Sequence, residues 1–309
     1  MRSLQSPGNT IPVKKSLADR GRKLILSTRY GEEAMKRLRS ARLASTSKRL
    51  DVCAMQFAHN FHLCGGPSLS GKVCLEIGAG SVLSHAIVCH LLGAEKVIAT
   101  DVASVAFPQT LSSSLKKSIP SVVRDILSPF EEHDLLRERL ERVLSIRRFD
   151  FDVLHELGID YVAPIDLARK RLDLAVDFVY SHSVLQHVPC EDVPPLLENI
   201  CSLLVPGAFM IHCLHLEDVR NATENPFGFL AVPEREYPRA LQSAGGNRIR
   251  RSGWAEIFRK AEGTRSEFIY QWTRKEKSLP GRIDPSIRHV DETDLRTSHI
   301  GILTRKMNG

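Results

Sequence analysis

Residues 73–80 read Val-Cys-Leu-Glu-Ile-Gly-Ala-Gly, and residues 97–101 read Val-Ile-Ala-Thr-Asp. This spacing predicts a buried strand, a glycine turn, a helix, a second buried strand and then a carboxylate. Because parallel strands end at the same edge of a sheet, we expect the glycine turn and Asp101 to lie side by side. A turn without side-chain bulk and a neighbouring carboxylate together suit a nucleoside, whose ribose hydroxyls can bind the acid.

Two common nucleotide-binding patterns do not fit the turn. The dinucleotide fingerprint needs a third small residue, and Leu83 stands at that position. No Lys-Ser or Lys-Thr pair follows the glycines, which excludes a P-loop. Glu76 stands two residues before Gly78, where a carboxylate would repel a phosphate. The same carboxylate suits a ligand that carries an amino group and a sulfonium.

With these residues the chain resembles the class I S-adenosylmethionine (SAM)-dependent methyltransferases. The resemblance covers roughly residues 70–219 and the C-terminal tail. Besides residues 76–80 and Asp101, three segments at plausible spacing carry it: 160–166 (Asp-Tyr-Val-Ala-Pro-Ile-Asp), 177–188 (Asp-Phe-Val-Tyr-Ser-His-Ser-Val-Leu-Gln-His-Val) and 203–212 (Leu-Leu-Val-Pro-Gly-Ala-Phe-Met-Ile-His). It implies an α/β fold, a doubly wound Rossmann-like sheet of seven mostly parallel strands with helical inserts. The last strand would be antiparallel and inserted beside its predecessor.

The resemblance implies SAM as the cofactor and assigns residues to it. Asp101 would take the ribose hydroxyls, Asp166 the adenine amino group, and Glu76 the methionine end, directly or through water. Asp101 has the alternative role of a helix N-cap. Asp166 has that of a cap for the turn at residues 167–171, which is compatible with binding. The other residues assigned to the cofactor site are Gly78, Ala79, Gly80, Val102, Ser181 and His182.

Histidines follow the fourth and fifth predicted strands, at the edge where the reacting methyl group would lie. His182 and His187 follow strand four, and His215 follows strand five. Histidine is the usual base near neutral pH, so these three are the catalytic candidates for a hydroxyl acceptor. His187 has the alternative role of fixing its loop to the next helix. No Asp/Glu cluster of the kind that hard cations prefer follows strand four, so no metal site is predicted.

The segment after strand four also narrows the methyl acceptor. Enzymes of this fold that methylate nucleic-acid amines often carry Asn/Asp-Pro-Pro-Tyr/Phe there, and this chain has Ser-His-Ser-Val at residues 181–184. A small molecule, a lipid or a saccharide, methylated on oxygen in preference to nitrogen, is therefore the predicted acceptor. Two alternatives stay open. One is an RNA methyltransferase that docks through a basic N-terminal arm, and the other is a SAM-binding fold that has lost catalysis and serves as a partner protein.

The net charge of +7 is concentrated at the N-terminus. Residues 1–50 carry 13 Lys or Arg and 3 Asp or Glu, whereas the rest of the chain carries 30 and 33. Such an arm is typical of a solvated segment, of a patch that attracts RNA or a membrane surface, or of a targeting peptide. It has a single aromatic residue, Tyr30, so it lacks interleaved rings on which bases could stack.

The predicted organisation has two parts. Residues 1–70 form a basic arm with docking helices, and residues 71–309 form the methyltransferase domain. Two segments of that domain exceed normal connection lengths, a helical insert at 102–158 and a cap insert at 216–250. Both leave from the carboxyl ends of strands, where ligands bind, so they are predicted to be a lid and a pocket wall. The alternative is that both inserts are peripheral additions to the fold that do not contribute to the site.

The cysteines and the hydropathy indicate the compartment. Seven cysteines occur without a C-x-x-C motif, and Cys53, His59, His62 and Cys64 do not match common zinc spacings. An odd count with cysteines in apolar strands favours a reducing compartment. No apolar run is long enough to cross a bilayer, and no signal peptide opens the chain. A cytoplasmic protein is predicted, with the oligomeric state left open.

Overall fold

The computed structural model describes residues 49–237 and 246–308. They contain a seven-stranded sheet with the strand order β3-β2-β1-β4-β5-β7-β6. The strands are β1 (Val73–Ile77), β2 (Lys96–Thr100), β3 (Ile159–Val162), β4 (Val176–His182), β5 (Leu204–His215), β6 (Thr264–Thr273) and β7 (Thr297–Lys306). The first five strands pair in parallel, and β7 is antiparallel to both β5 and β6. The predicted fold class, including the inserted antiparallel last strand, is confirmed.

Alternation along the central strands divides the core between two faces of the sheet. On one face Phe178 and Tyr180 pack in a large cluster with the helix α1 (Leu50–Leu63). The same cluster holds side chains of α2 (Ser84–Leu91), α3 (Gln109–Lys117), α4 (Pro120–Leu127), α5 (His133–Ser145) and α6 (Phe151–Glu156). On the opposite face Val179 packs with α7 (Val193–Leu203) and α8 (Arg251–Arg259). Helices on both faces explain why the central strands are apolar on both sides.

The segment 102–158 contains α3, α4, α5 and α6, and these helices pack onto the α1 side of the sheet. Leu136, Leu140 and Val143 are buried, as the helical spacing of the sequence predicts, whereas Leu144 is exposed. The segment therefore enlarges one hydrophobic layer. Its predicted role as a lid is not tested by this packing.

The segment 216–250 returns to the core through Arg250. Its side chain is 1% exposed, and its guanidinium donates to the carbonyls of Leu216 (2.7 Å), Leu295 (2.9 Å) and Thr297 (2.6 Å). Leu295 belongs to the short helix α9 (Glu292–Arg296), directly before β7. Burial lowers the pKa of Arg250 to about 10, so the guanidinium stays charged at neutral pH. One side chain thus joins the end of β5 to the start of β7.

Two predicted boundaries are wrong. The apolar run after the glycine turn predicts a helix at residues 81–92, but this helix begins at Ser84, because Leu83 adopts a left-handed backbone with a φ of 60° and the turn uses the two residues before it. The apolar run after Gly207 predicts a strand at residues 208–214, but β5 begins at Leu204 and continues through Gly207, whose φ is 78°. The pairing of β4 with β5 shifts register between Val176 and Phe178 to allow this.

Within residues 49–237 and 246–308, the helices are all too short or too polar to span a membrane. The basic arm predicted at residues 1–50 lies outside the described part of the chain except for its last two residues. The division into residues 1–70 and 71–309 stays a prediction.

Candidate functional site

The glycine turn connects β1 to α2 and lies against the end of β2. Gly78 and Gly80 have φ angles of 70° and 68°, which side chains rarely tolerate. The N–H of Ala79 donates to the Thr100 carbonyl at 2.9 Å. A Cβ placed on Gly78 would lie 2.4 Å from Cγ2 of Val184, which follows β4. The turn therefore needs glycine for its backbone angles and for its close approach to Val184.

Asp101 is fixed directly beside this turn. Its Oδ2 accepts the N–H of Gly80 at 3.1 Å, and its Oδ1 accepts the N–H of Ala103 at 3.1 Å. The next helix, α3, begins only at Gln109, so Asp101 caps a loop and not a helix. Each carboxylate oxygen has a second lone pair that can accept a hydroxyl of a ligand.

A cavity of about 340 Å³ opens at the carboxyl ends of β1, β2 and β4. Among the residues assigned to the site from sequence, its lining includes Gly78, Asp101, Val102, Asp166 and His187. Its other polar groups include Ser183 and Asp192, which sequence reasoning missed. The lining holds three carboxylates and neither lysine nor arginine. Apolar walls with a few polar groups at one end are typical of a small-molecule site.

Asp166 caps a turn and also lines the cavity, so the structure allows both of the roles that the sequence analysis gave it. Its Oδ1 accepts the N–H of Ala168 at 3.0 Å, which caps the turn after β3. Its other oxygen pairs with the Arg169 guanidinium, which also reaches Asp192 at 3.0 Å. A ligand amino group at Asp166 would therefore share this carboxylate with Arg169.

Glu76 lies beneath the turn, outside the lining of this cavity, and is 3% exposed. Its Oε1 is 3.4 Å from Nδ1 of His85 on α2, and its Oε2 is buried without a hydrogen-bond partner in the described chain. Nε2 of His85 lies 3.1 Å from Oε1 of Gln56 on α1. Burial lowers the pKa of His85, but interactions with Cys53 and Glu76 outweigh it and raise the value to about 9.

His85 was missed because the sequence offers only a histidine inside an apolar helix. Its partner Gln56 is 29 residues away on α1. No spacing rule links the two side chains, so the pair becomes visible only once α1 and α2 are packed together.

Strand alternation separates two of the residues assigned to the cofactor. Ser181 is fully buried, and its hydroxyl is 2.8 Å from Nδ1 of His212. His212 also contacts Phe258 of α8, and burial lowers its pKa to about 3. His182, the next residue, points to the other face, where Nδ1 lies 3.4 Å from Oη of Tyr180. Neither Ser181 nor His182 is part of the lining of the cavity.

His182 and His215 lie together at the ends of β4 and β5, with ring centroids 5.9 Å apart. A third imidazole, His299 of β7, lies 4.1 Å from the His215 ring and was missed from sequence. Burial lowers the pKa of His215 to about 4, and burial together with His215 and Arg274 lowers that of His299 to about 3. Both rings are therefore neutral at pH 7.

His187 follows β4 in a single turn at Leu185–His187 and reaches the cavity. Burial lowers its pKa. The loop is held by Asn247, whose side-chain amide donates to the carbonyls of Leu185 (3.0 Å) and Val188 (2.9 Å). The backbone N–H of Asn247 donates to Gln186 as well, at 2.6 Å. The segment 216–250 thus positions a loop of the cavity, although sequence gave no signal for Asn247.

The described chain shows no group of side chains that could form a metal site. In the described ranges, no three or more His, Cys, Asp or Glu side chains lie close enough together to hold an ion. Cys53 and Cys64 are buried in the α1 region as free thiols.

No family model matches the chain, and no curated protein matches it. Solved structures with a similar fold include a SAM-dependent methyltransferase from Mesorhizobium loti, at 16% identity and a TM-score of 0.42 over 80% of this chain and 97% of that one. Another is magnesium protoporphyrin IX methyltransferase from Synechocystis PCC 6803 with bound S-adenosylhomocysteine (SAH), at 13% identity and a TM-score of 0.42 over 82% and 84%.

A third is the N-methyltransferase NodS from Bradyrhizobium japonicum with bound SAH, at 11% identity and a TM-score of 0.41 over 86% and 91%. Similarities of this size do not carry a functional argument.

Proposed function

We propose that this protein is a SAM-dependent methyltransferase that acts on a small-molecule acceptor. The observation that carries the proposal is the bond between Gly80 and Asp101, which fixes a bare glycine turn and a carboxylate at the mouth of one cavity. An adenosine can lie against such a turn because no side chain intervenes, while its ribose hydroxyls donate to the acid.

The donor set of the site fits SAM better than a nucleotide. Asp101, Asp166 and Asp192 line the cavity without a lysine or arginine, and Arg169 is paired with two of these acids, so the lining offers a phosphate no cationic side chain. Glu76 adds a buried carboxylate oxygen without a partner in the described chain, and a ligand amino group or a bridging water would satisfy it. A ligand with a positive methionine end and no phosphate meets both conditions.

When bound, SAM supplies a methyl group that is already electrophilic because it is attached to a sulfonium. The chain then has to exclude water and align the acceptor in line with the carbon–sulfur bond. Gly78, Asp101 and Glu76 would hold the cofactor, and its methyl group would pass to the acceptor oxygen while the electron pair of the carbon–sulfur bond stays on sulfur. The acceptor proton passes to an imidazole nitrogen or to water.

His215 and His182 are the best candidates to take that proton. Both lie at the ends of strands next to the cavity loop, and the neutral form of His215 at pH 7 has a nitrogen lone pair available. A base with a pKa of about 4 is weak, so it suits an acceptor whose hydroxyl is more acidic than that of an alcohol. We infer methylation on oxygen because a hydroxyl acceptor, unlike a neutral amine, gains from a base, and two imidazoles lie at these strand ends.

Calorimetric titration with SAM and SAH tests the proposal, with NAD⁺ and ADP as matched adenosine ligands that carry phosphates. We expect both sulfur ligands to bind at one site and both phosphate ligands to bind at least tenfold more weakly, a difference of about 1.4 kcal/mol or more. A folded protein that takes up neither SAM nor SAH would contradict the proposal and would favour a partner protein without catalysis.

A further inference from the structure

Four rings form a continuous row across the carboxyl end of the sheet. The distance between ring centroids is 5.1 Å for Trp272 and His299 and 4.1 Å for His299 and His215. It is 5.9 Å for His215 and His182. We call these four residues the ring track. They come from β6, β7, β5 and β4, and direct register pairs join Trp272 to His299 and His299 to His215.

The ring track runs from Trp272 to His182 at the end of β4, and the loop that follows β4 lines the cavity. At its outer end, Trp272 is 52% exposed, so part of its ring is accessible to a ligand. At its inner end, His182 directly precedes Ser183, which lines the cavity. His187 of the cavity lining is also close enough to His215 to contribute to the lowering of its pKa.

His215 and His299 of the ring track are uncharged at neutral pH, since burial lowers their pKa values to about 4 and about 3. The Arg274 guanidinium, which acts on His299, already pairs with Glu217 at 3.2 Å and Glu276 at 2.8 Å. Its positive field lowers the pKa of His299, so it also disfavours a cationic ligand there. No carboxylate belongs to the ring track itself.

We propose that the ring track binds the methyl acceptor, and that the acceptor is a planar, uncharged aromatic compound whose hydroxyl group is methylated at the His182 end. The proposal rests on the proposed function and names its substrate class. Ring faces and edges recognise other rings through stacking and edge-to-face contacts. A saccharide needs several carboxylate or amide partners for its hydroxyls, and the ring track offers only imidazole nitrogens.

The acidity of an aromatic hydroxyl agrees with the weak base. A phenolic hydroxyl has a pKa near 10, as tyrosine does, well below that of an alcohol. A neutral imidazole with a lowered pKa can remove such a proton more readily than that of a sugar hydroxyl. The chemistry of His215 therefore agrees with an aromatic hydroxyl as the acceptor.

Ligand-observed saturation-transfer NMR tests the proposal with three probes: 1-naphthol, its saturated analogue decahydro-1-naphthol, and methyl α-glucoside. Each is titrated with and without SAH, against the wild type, Trp272→Ala and Trp272→Phe. We expect 1-naphthol to bind the wild type at least tenfold more tightly than either other probe. Trp272→Ala should weaken 1-naphthol binding roughly fivefold or more, and Trp272→Phe should restore most of it.

Phe151→Ala is the matched control, because Phe151 is another exposed aromatic (47%) that stacks on Tyr161 away from the ring track. It should leave 1-naphthol binding within twofold of the wild type. Equal binding of 1-naphthol and decahydro-1-naphthol, tighter binding of the glucoside, or unchanged binding by Trp272→Ala would each overturn the proposal. Failure of SAH to bind contradicts the proposed function instead, and the titrations without SAH still decide whether the ring track recognises aromatic rings.

Discussion

Asp101 connects the local backbone to ligand binding. One oxygen holds the turn through Gly80, and the other holds the following loop through Ala103. Both N–H groups donate to the carboxylate, so its orientation is fixed before any ligand arrives. Preorganisation of this kind lowers the entropy cost of binding.

Replacing Asp101 by alanine should therefore weaken SAH binding by about 10- to 100-fold, since hydrogen bonds to a charged group are worth about 1.5–3 kcal/mol. Calorimetric titration measures the dissociation constant of SAH for the variant and for the wild type. Asp160→Ala is the matched control, because Asp160 pairs with Lys96 and His155 at β3, outside the cavity lining. An Asp101→Ala variant that binds SAH as the wild type does would rule out the proposed ribose contact.

Gly78 is constrained twice, by its positive φ and by the 2.4 Å approach that a Cβ would make to Val184. Gly78→Ala should lower the free energy of unfolding by about 2–4 kcal/mol, from backbone strain and overpacking together. Adding Val184→Ala should recover the overpacking part and leave the backbone part, about 1–2 kcal/mol. Urea titrations measure all three variants.

The control for this series is Gly281→Ala, since a Cβ there would meet nothing within 4 Å. It should change stability by less than about 0.5 kcal/mol. If Gly78→Ala is equally mild, the close contact between the turn and Val184 is not present in solution.

At the scale of single residues, sequence predicted those whose role follows from a motif. Gly78, Asp101, Val102, Asp166 and His187 lie together around the cavity, and their roles there stay predictions. Ser181 does not line the cavity, because its hydroxyl is buried against His212, and its assignment to the cofactor stays a prediction as well. The β4 strand was recognised, but the face of each side chain depends on where the strand ends.

Among the elements, the segment around Arg250 shows how a buried charge can serve as a joint. Its guanidinium donates hydrogen bonds to the carbonyls of Leu216, Leu295 and Thr297. These residues are buried, so each carbonyl would lose a donor if the guanidinium were removed. Charged donors to carbonyls are stronger than neutral ones, which offsets the desolvation of the charge.

Arg250→Met should lower the free energy of unfolding by about 3–5 kcal/mol, because it leaves several carbonyls without a donor. Arg259→Met, at an exposed arginine at the other end of α8, should change the free energy of unfolding by less than about 0.5 kcal/mol. Hydrogen exchange should show the loss first at the start of β7 and at the end of β5. Uniform loss over the whole sheet would contradict the assignment of Arg250 as a local joint.

The regular elements were predictable because their signal is local. Periodicity and glycine positions predicted the first two strands, which the structure has at Val73–Ile77 and Lys96–Thr100. His85, Asn247 and His299 were not predictable, because each acts through a partner distant in sequence, such as Gln56 for His85 and Leu185 for Asn247. Their chemistry depends on packing, which no window of sequence contains.

For the whole molecule, the buried histidines set how stability depends on pH. Burial lowers the pKa of His212 and His299 to about 3 and of His215 and His90 to about 4. Below pH 6.5 these histidines bind protons in the unfolded chain but stay neutral in the folded chain. The free energy of unfolding therefore falls as the pH falls toward 4. His85 has the opposite sign, since its pKa is raised to about 9 and its stabilisation is lost as the pH rises from 6.5 through 9.

Stability should therefore be highest near pH 6.5 and should fall on both sides. His212→Gln should reduce the acid slope by one proton, about 1.4 kcal/mol per pH unit between pH 6 and 4. His133→Gln, at an exposed histidine, should leave the slope unchanged. Urea titrations over a pH series give these slopes, and a His212→Gln slope equal to that of the wild type would mean that His212 is protonated in the folded state.

A crystal structure of the protein with SAH is the most direct test of the proposed cofactor site. We predict density for the adenosine in the cavity between Gly78 and His187, with both ribose hydroxyls about 2.5–3.0 Å from the Asp101 carboxylate. Density for SAH at another place, or an adenosine whose ribose does not reach Asp101, would contradict the account.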